Sequence, residues 1–159
     1  MATGTVDDDR RFAATFDFGG VDTGLVMTEE NDTEVRCELL VIAHESEVML
    51  SAAVTEAADM LQKANGTVPA QPGVLLPDLG TRAGLTADGD LLMEHGLLIA
   101  PTLWGGQTPH VREDGRMTLI LQLALLTDEE YSIGVDQGVD KLLRRLHRRG
   151  EDLADWRRD

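Results

Sequence analysis

Four histidines, one cysteine and a surplus of carboxylates are the side chains with which this chain could do chemistry. His44, His95, His110 and His147 are isolated from one another and show neither the HExxH nor the HxH spacing that puts two imidazoles on one metal. A metal site would have to be assembled from distant elements. Asp7, Asp8 and Asp9 could attract a hard cation, but the run lacks the interleaved glycine and distal glutamate of a calcium loop. Gly19, Gly20 and Gly24 are followed by Leu25, Val26 and Met27 instead of the Lys-Ser/Thr pair of a phosphate loop. Ser51 has no GxSxG elbow around it. Cys37 lies on the apolar side of a strand pattern, away from any cationic or helix-terminal setting that would make it a thiolate. No catalytic constellation, metal or cofactor is therefore expected.

Two further features suit binding. Trp104 and His110 sit in the glycine-flanked stretch "LWGGQTPHVREDGR", expected as a flexible loop, where the tryptophan either anchors an interface or folds back over the end of the core. Lys141, Arg144, Arg145, Arg148 and Arg149 gather near the end of a helical pattern. They either pair with surplus acids of the same chain or form a docking face for an acidic partner.

The elements that must position these residues follow from periodicity. Val35–Ala43 alternates and then becomes apolar on both sides, which predicts a strand inside a sheet. Ser46 caps a helix to about Ala64, stopped by Asn65-Gly66. Phe12–Thr28 reads as strand pieces joined by a glycine bend, and Glu30–Thr33 as a turn. Val74–Leu76 is an edge-strand candidate in a proline- and glycine-rich middle third, and Leu91–Pro101 is another strand with a bulge at Gly96. Met117–Leu126 is a central strand. Thr127 and Glu130 form a capping box opening a helix whose stripe is Tyr131, Val135, Val139, Leu142, Leu143 and Leu146, broken near "GVDQG". The sum is an α/β (α+β) fold with a central mixed β-sheet flanked by helices. It forms one domain, residues 12–159, closed by a C-terminal strand–helix unit and preceded by a flexible acidic arm, residues 1–11.

Composition narrows the function classes. Asp plus Glu number 29 against 14 Lys plus Arg, a formal charge of -15. Such a field repels nucleic acid and anionic lipid; the surplus carboxylates either serve only to keep the protein in solution or attract a basic partner. The N-terminus lacks the basic start and apolar stretch of a signal peptide, and no apolar run reaches the ~18 residues of a membrane span, so a cytoplasmic location is expected.

The chain resembles bacterial members of the suppressor of fused domain family. The likeness rests on "VDTGLVMT", on the strand containing Glu38-Leu39, on the "LLIAP" strand, and above all on "LLTDEEYSIGVDQGVDKLL" from Leu125 to Leu143. The resemblance implies a non-enzymatic α/β domain that binds another protein. Its animal relative sequesters a transcription factor, and bacterial forms are inferred to be immunity proteins that neutralise toxins. It supplies no catalytic residues, and the partner-binding candidates remain Trp104, His110, Arg144, Arg145, Arg148 and Arg149. Two other readings stand beside it: a regulatory or scaffolding protein that dimerises through the Val74–Leu76 edge, and an enzyme with a dispersed site using His95 or His110 and a carboxylate.

Overall fold

Two eleven-residue strands, β4 (Thr33–Ala43) and β8 (Arg116–Leu126), lie side by side and parallel at the centre of an eight-stranded sheet in the computed structural model, which describes residues 1–159. Each long strand carries two short strands end to end on its outer side. β2 (Arg11–Ala14) and β3 (Leu25–Met27) pair with β4, and β6 (His95–Ile99) and β7 (His110–Glu113) pair with β8, all antiparallel. β1 (Ala2–Thr5) extends the sheet beyond β2, and β5 (Leu75–Leu76) beyond β6. The central mixed sheet with flanking helices agrees with the expected fold class.

The apolar-on-both-sides patterns of β4 and β8 reflect cover on both faces. On one face, Cys37, Leu39 and Val41 of β4 and Leu121, Leu123 and Leu125 of β8 meet Leu50, Ala53, Val54, Ala57 and Leu61 of α1 (Glu47–Ala64). Fully burying each Leu or Val contributes about 1.5–3 kcal/mol, and the alanines let the helix approach the sheet closely. Ser46 accepts a hydrogen bond from the Met49 N–H, and Asn65 adopts the left-handed conformation that ends the helix. On the other face, Leu97, Ile99, Ala124 and Leu126 pack against Leu142 and Leu146 of α4 (Val139–Arg149). α3 (Asp128–Gln137) precedes α4, and the break falls at Gly138, whose φ of 92° no ordinary helix residue adopts. The single apolar stripe does not continue across that break, and Val135, expected in it, is 57% exposed.

Several expectations need correction. Part of the segment expected as a mobile arm pairs as β1 with β2, because Thr3, Gly4 and Thr5 continue an antiparallel ladder to Ala13, Phe12 and Arg11. Gly96 marks no bulge, since the β6–β8 register runs unbroken. A Cβ there would lie 3.0 Å from Leu79 Cδ1 and 3.2 Å from Leu123 Cδ1, so the position is closely packed. The stretch expected as a flexible loop contains β7, closed into a hairpin with β8 by Asp114-Gly115. The short helix α2 (Leu79–Arg82) and the buried Trp156 in the last residues were not anticipated.

Candidate functional site

Helices α3 and α4 cover only part of their face of the sheet, and the uncovered part is an apolar groove. Its floor comes from residues in register on one face: Phe12 and Ala14 of β2, Leu40 of β4 and Ile120 of β8. Leu103, Trp104, Pro109, His110 and Val111 form the far wall, and Phe16 rims the near side. The volume is about 540 Å³. Phe16 is 68% exposed, Val111 64% and Trp104 41%. In a chain this poor in aromatics, two exposed rings on one concavity are an unusual concentration.

Both walls are held by polar side chains, one buried and one half-buried. Gln122, 6% exposed in the middle of β8, uses Oε1 to accept the Thr102 N–H at 2.9 Å and the Thr102 hydroxyl at 3.0 Å. It thereby pins the root of the Leu103–Trp104 segment to the sheet. Glu38 does the same for the opposite wall, accepting the Phe18 N–H at 3.1 Å, the Gly19 N–H at 2.8 Å and the Thr15 hydroxyl, while Thr15 Oγ1 accepts the Leu39 N–H. A Cβ on Gly19 would lie 3.1 Å from Glu38 Oε1, so the turn behind Phe16 fits closely around this carboxylate.

The chain that follows Phe16 is acidic in sequence, and it leaves the groove, since Phe18 and Val21 pack in the α1-side core and Gly24 lies against Gly66. Residues 12–35 contain Asp17, Asp22, Glu29, Glu30, Asp32 and Glu34 and no Lys or Arg. Glu30 pairs with Arg112 at 2.6 Å, and Glu34 with Arg36 at 2.8 Å. Asp17, Asp22, Glu29 and Asp32 have no cation within 4.0 Å.

Trp104 and His110 therefore meet on one groove, and the candidate arginines lie elsewhere. Arg144 and Arg148, with Lys141, Leu143 and His147, line a second, shallow concavity on the outer face of α4. Arg145 pairs with Glu129 at 3.6 Å and Arg149 with Glu151 at 4.0 Å, so intramolecular pairing accounts for part of the basic patch. Phe12, Phe16, Glu38 and Gln122 are the groove residues that sequence reasoning passed over. The available signals were a lone polar residue inside an apolar strand and phenylalanines clustered between positions 12 and 18.

His95 holds a third arrangement. Glu94, His95 and Asp128 bring potential ligand atoms within 4.8 Å of one another. However, His95 Nδ1 accepts the Asp78 N–H at 3.0 Å, so the neutral ring carries its proton on Nε2 and donates it to Asp128 at 3.2 Å. Both ring nitrogens are thus engaged, the Nδ1 lone pair by the Asp78 N–H and Nε2 by its own proton, so in this tautomer the ring offers no free lone pair to a cation. The ring stacks on Tyr131 at 4.0 Å, tying β6 to α3. His110 lies far from this cluster, its Nδ1 3.2 Å from the Thr108 carbonyl, so the dispersed His/carboxylate pairing expected as an alternative joins only His95 to acids. Burial, assisted by the Glu38 charge, pushes the Cys37 thiol up to about 12, so it stays protonated at neutral pH.

No family model matches the sequence, and no curated protein matches it. Among solved structures, the chain is similar to a suppressor of fused homologue from Neisseria gonorrhoeae FA 1090, with a TM-score of 0.68 and 14% sequence identity over 96% of this chain and 70% of that one. No helix is long and apolar enough to cross a membrane. The likeness extends over nearly every element described above, and the fold of this chain is accordingly the suppressor-of-fused-like fold.

Proposed function

We propose that this chain is a non-enzymatic protein-binding domain, and that it is an immunity protein whose apolar groove receives an apolar anchor of a basic toxin. The observation that carries the reading is the groove itself: exposed Phe16, Trp104 and Val111 around a sheet face that the helices leave bare. Apolar anchors entering a desolvated pocket dominate binding energy. A net charge of -15 raises the rate at which a basic partner arrives. The suppressor-of-fused-like fold supports the same class.

The test is coexpression with the products of adjacent genes. A neighbouring product that arrests growth alone, and is neutralised by this chain but not by its Trp104→Ala/Phe16→Asp variant, is the expected result. If no adjacent product arrests growth, the immunity reading fails. Neutralisation that survives the double substitution would remove the groove from it.

A further inference from the structure

The cations of this chain are almost all spoken for. Ten of the 14 Lys and Arg side chains lie within 4.0 Å of a carboxylate. Of the other four, Arg11 donates to the Glu45 carbonyl at 3.3 Å. The remaining three are Lys141, Arg144 and Arg148, and all three line the concavity on the outer face of α4. Acids outnumber bases about two to one, so chance distribution would leave carboxylates without partners far more readily than cations.

The helix dipole accounts for Arg148, which lies in the last turn of α4, and not for the cluster as a whole. Lys141 stands in the first turn of α4, the end at which a cation is disfavoured. Arg144 and Arg148 are one turn apart, as are Lys141 and Arg145, and like charges at that spacing weaken a helix. Asp140, one turn before Arg144, forms no ion pair with it within 4.0 Å. The inner face of the helix is already used, since Leu142 and Leu146 are buried against the sheet. The outer face therefore carries three cations without a carboxylate partner, and the fold accounts for only Arg148 among them.

We infer that this face of α4 docks an acidic peptide segment of a partner protein, through Lys141, Arg144 and Arg148. The spacing of seven residues at 1.5 Å per residue spreads the three charges over about 10 Å, the length of about three residues of extended chain. Two or three carboxylates within a short run match that span. A short segment feels only the local field, because charges more than about 8–10 Å away are screened at physiological salt. A nucleic acid or a membrane surface would extend past the patch and meet the acids of the rest of the molecule. This surface shares no lining residue with the apolar groove and carries charge of the opposite sign, so the inference does not depend on capture of a basic toxin.

The experiment uses the full chain and a fluorescently labelled hexaglutamate peptide, followed by anisotropy at increasing NaCl. The expected result is saturable binding that weakens with salt and falls at least about tenfold in Arg144→Glu/Arg148→Glu, with Trp104→Ala unchanged. Circular dichroism should show the charge-reversed variant folded, since both side chains are exposed. Equal binding by wild type and the charge-reversed variant would overturn the inference. So would tighter binding of duplex DNA or of phosphatidylserine vesicles than of hexaglutamate, or a light-scattering dimer that the double substitution returns to monomer.

Discussion

Gln122 Oε1 accepts two hydrogen bonds from Thr102, one from the backbone N–H and one from the hydroxyl, and this single polar side chain in an apolar strand anchors the Leu103–Trp104 part of the groove wall. Replacing it with Leu keeps the volume and removes the acceptor. Thr102 is exposed and regains partners from water, so global stability should change by less than about 1 kcal/mol. The loop should loosen. Trp156 is 1% exposed and Trp104 41%, so acrylamide quenching separates the two. Gln122→Leu should raise quenching of the accessible component with little change in the urea midpoint; unchanged quenching would show that Gln122 does not hold the loop.

Glu130 serves two masters. Its Oε2 accepts the Thr127 N–H at 3.0 Å to complete the capping box, and both its oxygens accept from Arg158 at 2.9–3.0 Å in a setting where the arginine side chain is 3% exposed. Arg158 also donates to the carbonyls of Leu125 and Asp155, so the last residues lock onto the end of β8 and the start of α3. Arg158→Ala strands a buried carboxylate and should cost about 3–5 kcal/mol in chemical denaturation. The double variant Glu130→Gln/Arg158→Met keeps an amide that can cap and removes both charges, and should cost clearly less than the single. Equal losses would mean that the arginine acts through packing alone.

The same residue pairs explain what could be read in advance. β4, β8, α1 and the Thr127 capping box announce themselves because their signals are local: alternation, a cap three residues from its partner, a stop at Asn65 or Gly138. The groove does not, because Phe12, Leu40 and Ile120 share a face only through the β2–β4–β8 register, and the Trp104 segment is held beside them by Gln122 at Thr102 and by the Ile120 N–H at the Pro109 carbonyl. Trp156 and Arg158 escaped for the same reason. Their partners in the core and at Glu130 are distant in sequence, and a short polar tail gives no periodicity to read. The basic stripe of α4 was legible as a helix face, yet which of its cations would find carboxylates depended on where Glu129 and Glu151 came to lie.

Gly80 and Gly20 should behave oppositely on substitution. A Cβ at Gly80 would sit 1.8 Å from the Met93 carbonyl oxygen, an overlap that only backbone movement relieves, whereas nothing lies within 4 Å at Gly20. The Gly80 N–H also donates to the Glu94 carbonyl at 2.9 Å, so α2 cannot shift without losing that bond. Gly80→Ala should destabilise by several kcal/mol, on the order of 3, and Gly20→Ala should change stability by less than about 1 kcal/mol. Thermal melts of both variants would decide it, and a neutral Gly80→Ala would contradict the close approach of α2 to the chain leading into β6.

His44 links both termini to the end of β4 and should make stability depend on pH. Unlike His95, which faces one donor and one acceptor, His44 faces two acceptors: the Asp9 carbonyl at 3.1 Å from Nδ1 and Asp152 Oδ2 at 3.0 Å from Nε2. Only the doubly protonated ring satisfies both. The Asp152 hydrogen bond, reinforced by the Asp9 carbonyl, raises the His44 pKa above 6.5. Burial works against the Asp152 carboxylate, but the bonds from His44 and the Ala154 N–H outweigh it and hold that carboxyl below 3.8. A histidine with a raised folded-state pKa contributes stability that is complete below pH 6.5 and is lost as pH rises through the folded value. The aspartate contributes stability present above 3.8 and lost as pH falls through its lowered value. The pair is thus strongest in mildly acidic solution, and its partly exposed position limits the effect to below about 1 kcal/mol. Urea denaturation of wild type and His44→Gln should differ most between pH 5 and 6 and converge by about pH 8; a difference that grows with pH would mean that the neutral ring is the form the fold selects.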